Sequence, residues 1–359
     1  MNQDRIQRIV REITETCEGR AAIRLMEVCG THTVALFRSG VKSLLPKSLR
    51  LISGPGCPVC VTPQGYVNAA CDVAGRPGVT ICTYGDMVGV RGRDGSLADS
   101  RARGARVVTV YSARDALKYA QQHPDEQVVF LAVGFETTAP TTAAVVMEAA
   151  RGNVGNFFVL MDHKLVVPAM MYLLGLPEFP IDGFICPGHV SVVIGAQAYQ
   201  PIVERYRKPC AVTGFEPAQM LEGILSLVRQ VTRGEARVDN VYGAAVSDAG
   251  NPIARACMYD VFQTAPATWR ALGNLPGSGL ELRESYRRFD AAMRFQLETH
   301  EDFEPPGCRC GEVLQGKLEP HDCALFGAAC NPTNPIGPCM VSSEGTCAAW
   351  YKYGPPKKG

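Results

Sequence analysis

Three groups of cysteines in this chain have neighbours and spacings that could support redox or metal chemistry. Cys57 and Cys60 form a Cys-Pro-Val-Cys motif, and Cys29 precedes His32 by three residues. A Cys-x-x-Cys pair is typical of thiol redox sites, whereas cysteine beside histidine suits a soft or borderline metal. The third group lies near the C-terminus and comprises Cys308, Cys310, Cys323, Cys330, Cys339 and Cys347. Together they indicate electron transfer between a metal centre and a dithiol.

The Cys57–Cys60 pair lies at the start of a predicted helix, after a Gly-Pro-Gly run. Free N–H groups at a helix N-terminus favour the thiolate of the first cysteine, and the short separation allows a small disulfide ring. The alternative is a chance pair or half of a zinc knuckle, but the chain has no second Cys-x-x-Cys to complete one. We therefore predict a redox-active dithiol.

Cys29 and His32 share the turn Cys29-Gly-Thr-His-Thr33. A neighbouring imidazole can activate a thiol or bind the same metal. The alternative is a buried free cysteine, which is common in proteins. Glu136 and His189 also follow predicted strands, but spacing alone favours a helix cap and a hydrogen-bonded core histidine over a catalytic base or a ligand.

The C-terminal cysteines have a loose spacing, Cys323-x6-Cys330-x8-Cys339-x7-Cys347. This spacing differs from the compact ferredoxin run and from the paired spacing of zinc ribbons. Four thiolates in a segment rich in glycine and proline could still surround a cubane cluster, and a structural zinc site is the alternative. Cys308 and Cys310 remain unassigned.

Alternating apolar runs and amphipathic segments predict an α/β fold with parallel sheets and right-handed crossovers. The predicted strands are 23–28, 50–53, 79–83, 106–111, 127–133, 156–161, 183–186 and 209–213. The predicted helices are 3–17, 63–75, 113–122, 138–151, 190–206 and 218–232. Beyond residue 234 we expect a turn-rich break over 273–279, a helix over 280–298 and a loop-like segment from residue 305.

The strands are divided into two predicted α/β domains, because residues 86–104 interrupt the alternation. Domain I covers residues 20–130 and contains the Cys29 and Cys57–Cys60 loops, and domain II covers residues 131–235. Residues 236–359, together with the N-terminal helix 3–17, form a predicted third domain of helices and loops that contains the six C-terminal cysteines. This last segment lacks the apolar residues for a large core and is expected to need a bound metal centre for order.

Ligands of open parallel sheets bind beyond the carboxyl ends of the strands. The unusual residues of this chain follow predicted strands, so we expect them to share one cleft. The loops concerned are 29–33, 54–60, 134–138, 186–191 and 214–217.

Charge and hydropathy narrow the classes of partner and compartment. Lys and Arg number 36 against 35 Asp and Glu, which provides no electrostatic reason to expect nucleic acid or an anionic membrane as a partner. The apolar stretch 165–176 is too short to span a bilayer. Without a recognisable secretory signal we expect a cytoplasmic protein whose cysteines are free, metal-bound or redox-active.

These motifs resemble the HypD family of hydrogenase maturation factors, and they occur in the family's order over essentially the whole chain. The loops that carry the resemblance are Cys29-Gly-Thr-His-Thr33, Gly54-Pro-Gly-Cys-Pro-Val-Cys60, Gly134-Phe-Glu-Thr-Thr138, Pro187-Gly-His-Val-Ser191 and Gly214-Phe-Glu-Pro217. The tail adds Cys310-Gly-Glu-Val-Leu and Cys339-Met-Val-Ser-Ser-Glu-Gly-Thr-Cys347.

The resemblance implies a scaffold for the Fe(CN)2CO fragment of NiFe hydrogenase, formed with a small HypC-type chaperone and supplied with cyanide by a HypE-type donor. Cys29 would bind the iron together with a cysteine of the chaperone, and His32 would lie close enough to assist. Cys57 and Cys60 would relay electrons to or from a 4Fe-4S cluster. The implied cluster ligands are Cys323, Cys330, Cys339 and Cys347.

A cluster-dependent protein disulfide reductase is the alternative from another functional class. It would use the same dithiol and the same cluster, but it provides no reason for the Cys29-Gly-Thr-His-Thr33 turn. A zinc-stabilised binding protein is a third interpretation, and a brown colour of the isolated protein would exclude it.

Overall fold

The strands of this protein form two parallel sheets and one antiparallel hairpin. The computed structural model describes residues 3–177, 179–297 and 304–355. The strands are β1 (Ile23–Glu27), β2 (Leu49–Ser53), β3 (Val79–Thr83), β4 (Arg106–Thr109), β5 (Gln127–Gly134), β6 (Phe157–His163), β7 (Gly183–Pro187), β8 (Cys210–Thr213), β9 (Val238–Asn240), β10 (Phe262–Trp269) and β11 (Gly273–Leu282). The first sheet has the order β2-β1-β7-β8-β9, the second has the order β4-β3-β5-β6, and β10 pairs with β11.

Helices connect and cover the strands. They are α1 (Gln3–Cys17), α2 (Gly30–Arg38), α3 (Val41–Leu44), α4 (Pro58–Val61), α5 (Gln64–Ala74), α6 (Gly85–Val88), α7 (Leu97–Ala102), α8 (Ala113–Gln122), α9 (Ala139–Arg151), α10 (Val166–Leu174), α11 (Gly188–Ile194), α12 (Gln200–Tyr206), α13 (Pro217–Arg233), α14 (Pro252–Val261), α15 (Ala291–Arg294), α16 (Cys310–Leu314), α17 (Pro338–Val341) and α18 (Thr346–Tyr353). Short 3₁₀ helices cover Ala196–Tyr199, Glu284–Phe289 and Pro320–Asp322.

Burial on both faces explains why the strands are continuous apolar runs. Every residue of β3 is buried, and so is every residue of β5 after Gln127. Helices on both sides of a parallel sheet produce this pattern. The predicted α/β class with parallel sheets is confirmed, and all eight predicted strands match β1 to β8 with bounds that agree within two residues.

The two sheets do not follow one another along the chain as the predicted limits 20–130 and 131–235 imply. Strands β1 and β2 pair with β7, β8 and β9, while β3 to β6 form the second sheet between them in sequence. The boundary between residues 130 and 131 falls inside β5. Hydrogen bonds between Leu25 and Gly183 and their neighbours define the first sheet, and local apolar patterns cannot reveal such long-range pairing.

The predictions for the turn-rich break over 273–279 and the helix over 280–298 are wrong. Residues 273–282 form β11, which pairs antiparallel with β10. Leu282, one of the apolar residues whose spacing predicted the helix, is buried on this strand, and Tyr286 and Phe289 follow in a 3₁₀ helix. Among the described residues that follow, a 3₁₀ helix and α15 are short, and residue 298 lies outside the described part.

The predicted helix over 190–206 is interrupted at Gly195. This residue has a φ of +87°, a left-handed conformation that favours glycine, and a Cβ there would lie 2.2 Å from the Asp248 carbonyl oxygen. The segment therefore splits into α11, a 3₁₀ turn and α12.

Helix α1 has the predicted bounds but packs elsewhere than expected. Its buried residues Ile9 and Ile13 join a core with Leu221 and Ile224 of α13, beside the first sheet. The helix was assigned to the C-terminal region, yet its apolar face meets α13. Spacing identified the apolar face but could not identify its partner.

The C-terminal segment packs its short helices against the loops of the first sheet. Helix α17 contacts α4, and α18 contacts α2. The cysteine-rich segment is thereby held next to the loops that carry Cys29 and Cys57. In the described part of the chain, no helix is both long and apolar enough to cross a membrane.

Candidate functional site

A cleft of about 490 Å³ lies at the carboxyl ends of the parallel strands. Its lining includes residues from four of the five predicted loops, and Glu344 is added from the C-terminal segment. The lining residues from the four loops are Cys29, Thr31, Gly56, Pro58, Phe135, Thr137, Thr138, Pro187, His189 and Val190. The fifth loop lies behind this surface, where the Phe215 ring stacks on His32 and His189 with centroid distances of 4.6 and 4.1 Å. The prediction of a shared cleft is confirmed for four of the five loops, and the loop 214–217 does not line it.

Cys29 is the N-cap residue of α2 and lines the cleft. Burial raises the pKa of the Cys29 thiol to about 11, and the Glu344 carboxylate also raises it. The backbone N–H groups of His32 and Thr31 at the start of α2 favour the thiolate and oppose this rise in pKa. The turn therefore presents N–H donors to a thiolate, while burial keeps the sulfur protonated until a cation binds it.

His32 is fully buried beneath the Cys29 turn. Its Nε2 lies 3.0 Å from the Gly214 carbonyl oxygen and 2.9 Å from Thr213 Oγ1. Because a carbonyl oxygen only accepts, Nε2 carries the proton and Nδ1 carries the lone pair. Burial lowers the pKa of the ring to about 4, so the imidazole is neutral near pH 7. Nδ1 is buried without a hydrogen-bond partner among the described residues.

Cys57 and Cys60 lie with their sulfurs 2.7 Å apart. Cys57 is the N-cap residue of α4, and its sulfur accepts a hydrogen bond from the Cys60 N–H at 3.4 Å. Both residues are buried, and burial raises the pKa of the Cys60 thiol well above its usual range. A disulfide needs an S–S distance of about 2.05 Å, so a small approach of the two side chains closes the ring.

The Cys29 and Cys57 loops are tied together through glycines. The Gly30 N–H donates to the Gly56 carbonyl oxygen at 2.9 Å. A Cβ at Gly56 would lie 2.0 Å from the Cys29 nitrogen, which no side chain could tolerate. Glycine at position 56 therefore allows the dithiol loop to pass directly behind Cys29.

The six C-terminal cysteines line one cavity together with apolar side chains such as Phe326 and Met340. The Cys339 sulfur lies 2.8 Å from that of Cys310 and also contacts Cys60. Cys347 lies near the sulfurs of Cys308, Cys330 and Cys323, and it also raises the pKa of Cys310 and of Cys339. The four predicted ligands thus line the same cavity, and Cys339 also reaches the dithiol through Cys60.

The donor set of this cavity fits a thiolate-ligated metal centre in its chemistry. Thiolates are the usual ligands of iron–sulfur clusters and of structural zinc, and no carboxylate is found among the described residues that line the cavity. Among the residues that the structure describes, no three Cys, His, Asp or Glu side chains are already arranged as a metal site. The thiols would therefore have to turn about their side-chain torsions to bind a cluster.

The residues after Cys339 connect the cavity to the cleft, and sequence reasoning assigned them no role. Thr31 Oγ1 donates to Glu344 Oε1 at 2.6 Å, which brings the Glu344 carboxylate to the Cys29 turn. Ser342 contacts both Cys57 and Asp86. In the sequence, the position of Glu344 between two cysteines could have indicated a role at the site, whereas nothing in the sequence marked Asp86.

A buried ion pair supports the dithiol loop from behind and was also missed. Lys164 pairs with Asp162, and Thr62 Oγ1 donates to Asp162 Oδ2 at 2.9 Å. The Arg270 Nε donates to the Thr62 carbonyl oxygen at 3.0 Å. These contacts hold the end of α4, the helix that begins after Cys57.

Glu136 and His189, which sequence spacing treated alike, have different environments in the structure. The Glu136 carboxylate is buried and accepts the N–H of Val166 at 3.0 Å, so it caps α10 rather than the helix that follows it directly. Burial raises the pKa of this carboxyl to about 7. His189 is exposed and lines the cleft, so the interpretation as a core histidine is wrong.

Comparison with known proteins agrees with this arrangement. The family model described as "HypD: Hydrogenase formation hypA family" matches residues 4–354. A protein named hydrogenase maturation factor HypD from Azotobacter vinelandii is 48% identical over 356 residues, covering 97% of this chain and 94% of its own length. A protein of the same name from Escherichia coli (strain K12) is 46% identical over 332 residues, covering 92% and 89% respectively.

A third relative, hydrogenase maturation factor HypD from Cupriavidus necator, is 46% identical and covers 97% of this chain and 94% of its own length. The match therefore extends over the cleft, the dithiol and the cysteine-rich segment alike. The chain belongs to the HypD family.

Proposed function

We propose that this protein is a hydrogenase maturation factor on which the Fe(CN)2CO group of NiFe hydrogenase is assembled. Its relatives bear the name hydrogenase maturation factor HypD. In this proposal a small HypC-type chaperone docks over the cleft, a HypE-type protein supplies cyanide, and the assembly takes place in the reducing cytoplasm. The chain's own thiols hold the iron and supply electrons.

The observation that carries the proposal is the position of Cys29. Its sulfur borders an open cleft, while the Cys57–Cys60 pair is buried one loop behind it. A low-spin iron(II) that carries carbonyl and cyanide favours soft, charge-donating thiolates, and metal binding displaces the thiol proton. An open cleft also leaves room for a second cysteine from a partner.

His32 supports this iron site from beneath in our proposal. Its Nε2 is engaged by Gly214 and Thr213, which fixes the ring under the Cys29 turn. The exposed ring of His189 also contacts Phe215 and borders the same cleft. His189 is therefore the next candidate for an iron ligand after Cys29.

We further propose a 4Fe-4S cluster in the cysteine-lined cavity. The predicted ligands are Cys323, Cys330, Cys339 and Cys347. All four line the cavity, and Cys308 and Cys310 line it beside them. When bound, a cluster would supply one-electron storage beside the two-electron couple of the thiols.

The proposal is tested by Cys29→Ser in the complex purified with its small partner. A serine hydroxyl is not ionised near neutral pH and is a harder ligand, so the iron fragment should be lost while the fold and the dithiol persist. The readout is the infrared spectrum, in which the cyanide and carbonyl bands should disappear. Cys71→Ser, which alters a half-buried cysteine far from the cleft, is the matched control and should keep the bands.

Wild-type band intensity in Cys29→Ser would contradict the assignment and move the iron to another residue, with His189 tested next. The disulfide reductase alternative expects no such bands in any variant and rapid turnover of a protein disulfide. Anaerobically purified protein should be brown with about four iron and four sulfide per chain. A colourless protein with one zinc would end the cluster proposal.

A further inference from the structure

A chain of hydrogen bonds leads from the dithiol to the surface. The Cys57 sulfur donates to Ser342 Oγ at 3.3 Å, and Ser342 Oγ donates to Asp86 Oδ2 at 2.9 Å. Cys57 is 3% exposed and Ser342 is 1% exposed, whereas Asp86 is half-buried on α6 beside the exposed Gly85. The three residues come from distant parts of the chain and meet at this point alone.

The hydroxyl of Ser342 is oriented to transfer a proton from Cys57 towards Asp86. Its oxygen also accepts the N–H of Glu344 at 3.2 Å, so it accepts from two donors and has its own proton free to give to Asp86. Asp86 is held in turn by the N–H and the Oγ of Ser343, each at 3.0 Å. A carboxylate held by these donors is a fixed proton acceptor at the outer end of this chain of hydrogen bonds.

A buried dithiol needs such a path, because each cycle between dithiol and disulfide moves protons as well as electrons. Cys60 is fully buried, and its thiol faces the Cys57 sulfur. On the side towards Asp86, the Cys57 thiol donates to the hydroxyl of Ser342. The attacking sulfur must become a thiolate, and without a proton acceptor nearby the free energy of forming a buried thiolate would be high.

We propose that Ser342 and Asp86 form the proton path of the Cys57–Cys60 couple, a role that rests on the dithiol function proposed above. In exchange with a small disulfide, the Cys57 proton passes to Ser342 as the serine proton passes to Asp86. The Cys57 thiolate attacks, the S–S bond of the reagent breaks, and its first thiolate leaves and takes up this proton through solvent. Cys60 then attacks Cys57, the ring disulfide forms, and the Cys60 proton leaves with the second thiol of the reagent.

The test measures how fast cystamine, a small disulfide, oxidises the Cys57–Cys60 pair of the full-length protein. Free thiols are alkylated at each time point, and the peptide that contains both cysteines is quantified by mass spectrometry. Ser342→Ala and Asp86→Asn should slow the reaction about 100-fold, the low end of what a positioned acid–base group contributes. Ser342→Thr keeps the hydroxyl and should restore the rate.

Ser343→Ala is the matched control, because it removes a neighbouring hydroxyl from Asp86 and leaves the path from Cys57 intact. Equal rates in Ser342→Ala and Ser343→Ala would overturn the path while leaving the dithiol function standing. A slow Ser342→Thr variant would also overturn it, since a structural defect then explains the loss. If the wild-type pair never forms a disulfide, the dithiol part of the proposed function fails and the path fails with it.

Discussion

Glu136 provides a quantitative test of how burial acts on a charged group next to the cleft. Its side chain is 3% exposed, and its carboxylate accepts the Val166 N–H at the start of α10. Burial raises the pKa of this carboxyl from 4.5 to about 7. The folded protein therefore binds this proton more tightly than the unfolded chain does, and Glu136→Gln replaces the carboxyl with an amide that cannot ionise.

The size of the effect follows from linkage between protonation and folding. Below pH 4.5 the carboxyl is protonated in both states and its burial costs little. Between pH 4.5 and about 7 the unfolded chain loses this proton while the folded protein keeps it. Wild-type stability therefore falls by about 1.4 kcal/mol for each pH unit over this interval, or about 3 kcal/mol in total, and levels off above about pH 7. The amide variant is spared this loss, so its stability relative to wild type should rise by up to about 3 kcal/mol between pH 5 and pH 8.

Urea unfolding at several pH values measures this difference. Trp269 stacks on Phe135, the neighbour of Glu136, so its fluorescence reports unfolding close to the site. Glu148→Gln, on the surface of α9, is the control and should show a difference from wild type that hardly changes with pH. A pH-independent difference for Glu136→Gln would refute the reasoning, because it would mean that burial does not favour the protonated carboxyl.

Two further predictions concern the loops and the cysteine-lined cavity. Gly56→Ala places a Cβ 2.0 Å from the Cys29 nitrogen and should lower the free energy of unfolding by about 1–3 kcal/mol in the same urea titration. Gly155→Ala is the control, because its Cβ would meet nothing within 4 Å and the free energy of unfolding should not change. Cys339→Ala removes one of the four proposed ligands and should lower the bound iron and bleach the protein, whereas Cys308→Ala should leave both nearly unchanged. The opposite pattern in iron analysis and visible absorption would make Cys308 the fourth ligand.

The sequence by itself determined the local elements and the loops that carry chemistry. Strands β1 to β8 are short apolar runs whose burial on both faces leaves a pattern in the residues themselves. Because the carboxyl ends of parallel strands share one edge, the loops after them could be expected to meet, and four of them line the cleft with Cys29. The Cys-Pro-Val-Cys motif likewise predicted a close pair of thiols.

Only the tertiary structure decided which elements are neighbours. The pairing of β1 with β7 joins residues far apart in the chain, and hydrogen bonds between strands leave no trace in local composition. The same holds for the contact of Cys339 with Cys60 and for the meeting of Ser342 with Asp86. Each depends on how the C-terminal segment packs against α4 and α6, and side chains brought together by packing carry no common spacing in sequence.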